Sequence, residues 1–327
     1  MRRSLAWLAL LLVAGTAAAN DGQLWLGRMA EALSGTSYSG EFICESATGS
    51  EKVRVLHRVR DGAVWERLVS LSGSGRELVR ENDEVVVYLP DRKLAIIERR
   101  LARSDLMGAL PTFDSRVSPW YEVSYAGLEQ ALLGPAAVVV VRPRDGYRFG
   151  YRLWIDEDSH MPVRSELSDA AGRVIERLRF TQLELNREIP DAAFEPSTDR
   201  SNLRWVRQVP QAMEGAPGWR AAQVPPGFRL SVSGLQAMAG ASAPVRHLVY
   251  SDGLASVSVF IQPSAPGKTP VTGSRRAGVA SAYTTVVHGY EVTVVGEVPP
   301  DTLRFIATGL RPAEAPPAPA QTPRRGN

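Results

Sequence analysis

Val53-Arg54-Val55-Leu56-His57-Arg58-Val59 alternates strictly: Val53, Val55, His57 and Val59 fall on one face, and Lys52, Arg54 and Arg58 on the other. A period of two is the signature of a strand buried on one side only. Tyr147, Phe149, Tyr151, Leu153 and Ile155 repeat the alternation with aromatic weight. Shorter β runs occur at 42–44, 85–89, 94–97, 136–141 and 174–180, punctuated by Asp61-Gly62, Ser72-Gly73-Ser74-Gly75, Pro90-Asp91, Asp145-Gly146 and Ala171-Gly172. Many strands joined by short turns predict an α+β domain built on a large antiparallel sheet. Two pieces are available to cover its apolar side. One is a helix from Asp21, its expected cap, to Gly35, with Leu26, Met29, Ala30 and Leu33 on one stripe; the other is the segment 104–110.

The first domain, 20–196, is expected to end near Pro196, and 197–218, rich in Ser, Asn, Gln, Pro and Gly, reads as a linker. A smaller α+β domain follows over 219–311. It holds strands at 245–250 and 254–262, a hairpin of 279–287 with 291–296 turning at His288-Gly289, and a helix opened by Pro299-Pro300-Asp301 with Leu303, Ile306, Ala307 and Leu310 on one face. Beyond it, 312–327 is a Pro/Ala-rich tail whose composition predicts disorder.

The N-terminus reads as a signal peptide over 1–19. Arg2 and Arg3 precede the apolar run 5–13, and Ala17-Ala18-Ala19 supplies a small-residue cleavage site before Asn20. The run is about half the roughly 20 residues a membrane-spanning helix needs. Cleavage after Ala19 leaves no cysteine positioned to carry a lipid, so a soluble exported protein is expected, and a Gram-negative periplasm fits it. Cys44 is the only cysteine, which excludes an intrachain disulfide. The net charge is +3 and falls further when Arg2 and Arg3 are removed, so nucleic acid is not an expected partner.

Chemistry is thinly marked. Asp156-Glu157-Asp158 with His160 gathers carboxylates beside an imidazole, but consecutive side chains splay, and a solvated hairpin tip is the expected reading. The four histidines, His57, His160, His247 and His288, fit no metal-binding spacing. Cys44 lies in a β run with no basic cluster to lower its pKa. No catalytic, metal or cofactor residues are assigned, and an enzyme is the least favoured class. The notable feature is aromatic: Phe42, Trp65, Trp120, Tyr121, Phe149, Tyr151 and Trp154 are candidates to line a cavity for acyl chains or an apolar peptide, with plain core packing as the alternative. Trp154 faces opposite to Phe149, Tyr151 and Leu153, so one of those faces is expected near solvent or a partner.

Several strings together resemble one family. His57-Arg58-Val59-Arg60-Asp61-Gly62, Glu66-Arg67-Leu68, Gly75-Arg76-Glu77, Asp83-Glu84-Val85 and Tyr88-Leu89-Pro90-Asp91 are similar to the N-terminal domain of the RseB/MucB family of periplasmic negative regulators of an envelope-stress sigma factor. Pro225-Pro226-Gly227-Phe228, Ser251-Asp252-Gly253-Leu254-Ala255, Ser258-Val259-Phe260 and Val292-Thr293-Val294-Val295-Gly296-Glu297-Val298-Pro299 resemble its C-terminal domain. The resemblance implies a LolA/LolB-like curved sheet with helices on its concave side. It also implies a grip on the periplasmic region of a membrane-spanning anti-sigma factor of the RseA/MucA type, protection of that factor from a site-1 protease, and release by lipid or lipopolysaccharide. Membrane association is then indirect, self-association stays open, and no catalytic residue is carried over. Leu254, Val257, Val259, Phe260 and Tyr283, on 254–260 and 278–283, are the candidates for contact by strand addition. A hinge through 197–218 would let lipid in the first domain alter domain placement. A lipid or lipoprotein carrier is the alternative.

Overall fold

The computed structural model describes residues 6–73, 75–99, 119–208, 211–212, 218–236, 244–264 and 272–313. Among them twelve strands form the large sheet: β1 (Tyr38–Ser46), β2 (Gly49–Arg60), β3 (Ala63–Ser70), β4 (Glu77–Glu81), β5 (Glu84–Leu89), β6 (Leu94–Arg99), β7 (Tyr121–Gln130), β8 (Pro135–Pro143), β9 (Gly150–Asp156), β10 (Pro162–Ser168), β11 (Val174–Leu185) and β12 (Arg204–Gln208). Their order is β12-β6-β5-β4-β3-β2-β1-β11-β10-β9-β8-β7. Every pairing is antiparallel except β12 with β6, which is parallel.

Next in the chain come β13 (Gln211–Ala212), β14 (Trp219–Ala221), β15 (Arg229–Gln236), β16 (Val245–Ser251), β17 (Ser256–Pro263), β18 (Gly273–Ala277), β19 (Ala280–Val287), β20 (Tyr290–Gly296) and β21 (Leu310–Pro312). Seven of these make a sheet of order β13-β15-β16-β17-β20-β19-β18, and β14 pairs with β21. The β19–β20 turn falls at His288-Gly289, as expected, with φ of 49° and 79°. Two successive positive φ values are what a two-residue type I′ turn demands.

Among the described residues the α-helices are α1 (Ala6–Gly35) and α2 (Pro300–Gly309). The first packs along β7 and β8, where Leu26 and Met29 are fully buried with Tyr121, Val123, Val139, Val141, Leu153 and Ile155. Each such aliphatic side chain contributes roughly 1.5–3 kcal/mol by leaving water. Contrary to expectation α1 starts at Ala6, so Asp21 lies within it and caps nothing. The Leu/Ala-rich run before it is helix-forming and, despite Gly15, holds no proline to end the helix. The other expected cover, 104–110, and the tail 314–327 lie outside the described residues. In the second domain α2 buries Leu303, Ile306 and Ala307 against Leu248, Val257, Val259, Ile261, Val292 and Val294.

Three further expectations change. Of the 147–155 run only Gly150 onward is strand; Tyr147 to Phe149 form its approach, where the Asp145 carboxylate accepts the Tyr147 N–H at 3.0 Å. Arg58 does face away from Val53 and Val55, but it is buried rather than solvated. It donates to the Ile189 carbonyl and Asp191 at 2.8 and 2.6 Å and stacks on Trp65 and Phe194. Of the expected linker, the described residues 197–208 and 211–212 are not a free tether. Glu77, 1% exposed, accepts the backbone N–H groups of Ser197 and Thr198. Arg204 to Gln208 then add to the open edge of β6, and Gln211 and Ala212 already pair with β15. The backbone of 204–208 and of 211–212 thus finds partners on two different sheets, which polar composition alone did not signal.

Candidate functional site

The two sheets meet around Arg148, whose side chain is wholly buried. It sits just ahead of β9, aimed into the second domain. Its Nε donates to Asp252 Oδ2 at 2.5 Å, and its other nitrogens donate to the Asp145 carboxylate and the Pro226 carbonyl. The rings of Phe228, Tyr121 and Trp120 surround the guanidinium at 5.1, 5.6 and 5.7 Å. Asp252 is equally enclosed. Its Oδ1 accepts the N–H groups of Leu254 and Ala255 at 2.9 and 2.7 Å, and its Oδ2 also accepts the Tyr121 hydroxyl at 3.1 Å. One carboxylate thus folds the β16–β17 turn and receives the cation of the other domain, while Leu254 packs into the Leu153 cluster of the first. Burial, then the Asp252 charge, pushes the Tyr121 phenol far up, so it stays a donor.

The joint has a second contact and a tight fit. The Thr302 hydroxyl of α2 donates to the Tyr147 carbonyl at 2.9 Å, and Tyr147 and Phe305 rings lie 5.5 Å apart. Gly227 has φ 86°, and a Cβ built there would stand 2.0 Å from Trp120 Nε1. Only glycine meets both conditions.

Beside the joint is a groove of about 440 Å³. The ends of β1 and β11 contribute Glu45, Arg173 and Glu176, Phe149 lies within it, and the β18–β19 tip contributes Arg276 and Val279. Burial and the neighbouring Glu176 carboxylate push Glu297 up to about 7. Glu176 is raised by burial against a hydrogen bond with Cys44, and the Cys44 thiol is pushed far up by burial and then by Glu176, which favours the protonated thiol.

The seven aromatic candidates do not line one cavity. Phe42 and Trp154, each 3% exposed, belong to the core of the first domain. Trp65 sits on the opposite face from Phe42, because it pairs with Arg58 whereas Val53 pairs with Phe42. Trp120, Tyr121 and Tyr151 pack at the Leu153 cluster and Phe149 lines the groove. The open face expected at Trp154 is sealed. Arg152 and Arg164 stack over its ring at 5.1 and 4.0 Å, and its indole N–H donates to Glu129 at 2.7 Å. The Asp156 cluster is a hairpin turn, as expected, but Asp156 is only 5% exposed and accepts the Ser159 N–H and hydroxyl at 2.9 and 2.6 Å.

Strand addition at 254–260 is ruled out by topology. β17 lies between β16 and β20, paired on both sides. Val257 and Val259 are fully buried, Leu254 is part of the joint, Phe260 stacks on His247 at 4.6 Å, and Tyr283 packs against the second core. Sequence reasoning missed Arg148, Asp145 and Asp252 as site residues. A signal existed: Pro225-Pro226-Gly227-Phe228 and Ser251-Asp252-Gly253-Leu254-Ala255, two strings that carry the family resemblance, both converge on Arg148.

Fold and joint define a two-domain β-sheet protein whose domains meet at a buried, ion-paired interface. The model of the MucB/RseB N-terminal domain matches residues 21–198, and that of the MucB/RseB C-terminal domain matches 213–311. The chain belongs to the MucB/RseB family. It is 33% identical to the sigma factor AlgU regulatory protein MucB of Pseudomonas aeruginosa over 94% of this chain and 96% of that protein. It is 28% identical to the sigma-E factor regulatory protein RseB of Escherichia coli K12 over 93% of this chain and 97% of that protein. Among solved structures, the Pseudomonas aeruginosa MucA/MucB complex matches with TM-score 0.70 and 32% identity, over 90% of this chain and 100% of the matched chain. MucB in complex with MucA(peri) matches with TM-score 0.67 and 30% identity, over 91% and 100%.

Proposed function

We propose that this chain is a periplasmic regulator that binds the periplasmic region of a membrane-spanning anti-sigma factor, protects it from proteolysis and so restrains an envelope-stress sigma factor. The observation that carries the reading is a match along both domains to a regulator whose structure has been determined with MucA(peri). Export on the 1–19 signal peptide supplies the compartment. The first-domain sheet with its covering helix is consistent with a LolA/LolB-like architecture, and the regulatory names of the relatives favour a binding protein over an enzyme.

Release by lipid or lipopolysaccharide is part of the proposal, in modified form. A ligand shifts an equilibrium only by its differential affinity for two states. Because 204–208 and 211–212 are paired to the two sheets and Arg148 is sealed in the joint, a lipid has to act against a closed interface rather than a free hinge. The dispersal of the seven aromatics weakens the carrier alternative.

The test is to capture the mature protein from detergent-solubilised membranes and identify what is enriched, then repeat with lipopolysaccharide added. A single-pass anti-sigma factor that is lost on addition supports the whole reading. Enrichment unaffected by lipid removes the release step. Bound acyl chains with no membrane protein would favour the carrier.

A further inference from the structure

Away from the joint, the large sheet carries a built cluster of charge on one face. Leu153 packs with α1, so Arg152 and Trp154, its neighbours along β9, point to the opposite face. On that face one cross-strand row reads Lys52 of β2, Ile43 of β1, Arg179 of β11, Arg164 of β10 and Trp154. The row to one side sets Arg54 across from Glu41, and the row to the other sets Arg177 between Glu45 and Glu166.

The carboxylates lie beneath the cations. Glu41 accepts Lys52 and Arg54 at 2.5 and 2.9 Å, and Glu166 accepts Arg164 and Arg177 at 2.6 and 3.0 Å. The side chains of Glu41 and Glu166 are 13% and 12% exposed, whereas those of Lys52, Arg54, Arg164 and Arg177 are 44%, 56%, 42% and 51% exposed. Each carboxylate thus fixes two cations from below, and the charge turned outward is positive. Arg164 is held a second way, stacked on the Trp154 ring at 4.0 Å. Directly across from it on the next strand stands Arg179, which is exposed. Like charges placed opposite each other cost stability, and ion pairs this exposed return little of it. Folding alone gives no reason for the arrangement, whereas an anion laid across the row removes the repulsion.

We propose that this face is a docking surface for an anionic phospholipid bilayer. Its breadth decides between occupants. From Lys52 to Arg164 the row crosses four strands, roughly 14 Å at about 4.8 Å per spacing, and the cations occupy three rows. A single extended acidic peptide follows one row, while a plane of phosphate groups meets all of them. Guanidinium forks held in place suit phosphate oxygens. Lys52, Arg54, Arg164, Arg177 and Arg179 over Glu41, Glu45 and Glu166 leave a net charge of about two. Each such charge near an anionic membrane is worth roughly a factor of five, so the preference over a neutral membrane is on the order of 30-fold. The contact is weak by itself. On the regulator reading proposed above, a membrane-spanning partner brings the face to the bilayer, and the two attachments reinforce each other.

Vesicles of pure lipid test the surface with no protein partner present, so the result stands apart from whether an anti-sigma factor is bound. The mature protein is sedimented with phosphatidylglycerol/phosphatidylethanolamine vesicles and with phosphatidylcholine vesicles, at low and at high salt. Binding about 30-fold tighter to the anionic vesicles, weakened by salt, is expected, with a loss of roughly tenfold or more in Lys52→Gln/Arg179→Gln. Arg220→Gln/Arg229→Gln removes the same charge from exposed positions of the second domain and should bind as wild type does. Equal binding to both kinds of vesicle overturns the proposal. So does an equal loss in the two double variants, which is the mark of net charge acting without a surface. If Lys52→Gln/Arg179→Gln keeps its vesicle binding and loses affinity for the anti-sigma periplasmic peptide, the face belongs to a protein partner and the proposal falls. Should that variant show a lowered urea midpoint, acylation of the wild type decides, with Lys93 as internal reference. Anionic vesicles slow the labelling of Lys52 relative to Lys93 if the face docks, and an unchanged ratio overturns it.

Discussion

Replacing Arg148 with Met tests whether the two sheets behave as one folding unit. The substitution removes hydrogen bonds to Asp252, Asp145 and the Pro226 carbonyl, and leaves Asp252 at 0% side-chain exposure without its cation. Tyr121 and the N–H groups of Leu254 and Ala255 still solvate that carboxylate, and methionine keeps part of the packing against Phe228. Breaking one side of a buried pair costs about 3–5 kcal/mol, and the surviving donors place this case toward the lower figure. That is a large share of the roughly 5–15 kcal/mol that holds a domain folded. Urea unfolding followed by tryptophan fluorescence and circular dichroism should show one transition in the wild type and two in Arg148→Met. In a double-mutant cycle Asp252→Asn should cost less in the Arg148→Met background than alone, with a coupling of about 2 kcal/mol. A loss below about 1 kcal/mol with a single unaltered transition would refute the idea that this arginine unites the domains.

Gly227→Ala should destabilise the joint by about 2–4 kcal/mol, from left-handed strain plus the clash with Trp120, read as a lower urea midpoint. Glu77→Ala should cost about 3 kcal/mol and open the following segment to trypsin at Arg200, Arg204 and Arg207, since it strips the acceptor from Ser197, Thr198 and Arg67. Burial opposes ionisation of Glu77, but those hydrogen bonds outweigh it and hold its carboxyl below the ordinary 4.5. Its contribution is therefore present above that value and lost as pH falls through the folded one, so Glu77→Gln should lose less stability on acidification than wild type. Phe42→Ala should cost about 3–5 kcal/mol without altering the joint, measured as a lower midpoint of a transition that stays single.

Strand alternation made the large sheet legible, because Val53, Val55 and His57 need only local sequence to declare their shared face. The β19–β20 hairpin and α2 were equally plain, since His288-Gly289 and Pro300 are positional signals. The joint was not. A lone arginine after a turn looks solvated, and nothing nearby in sequence announces that Asp252, 104 positions on, will meet it. The aromatic residues misled for a related reason. Alternation says which residues share a face of one strand, but not which face is covered, and arginines seal both Trp65 and Trp154. Strand order is likewise silent in sequence, so β17 could be taken for an edge when it is central.

The parallel pairing of β12 with β6 bears on how the first domain can be isolated. The N-terminal family match stops at residue 198 and the strand begins at Arg204. A fragment cut between them would keep its core but bare the backbone of Leu94 to Glu98, a row containing Ile96 and Ile97 with no proline to blunt it. Unpaired edges of that kind recruit other chains. Such a fragment should aggregate, and carrying it on through Gln208 should keep it monodisperse.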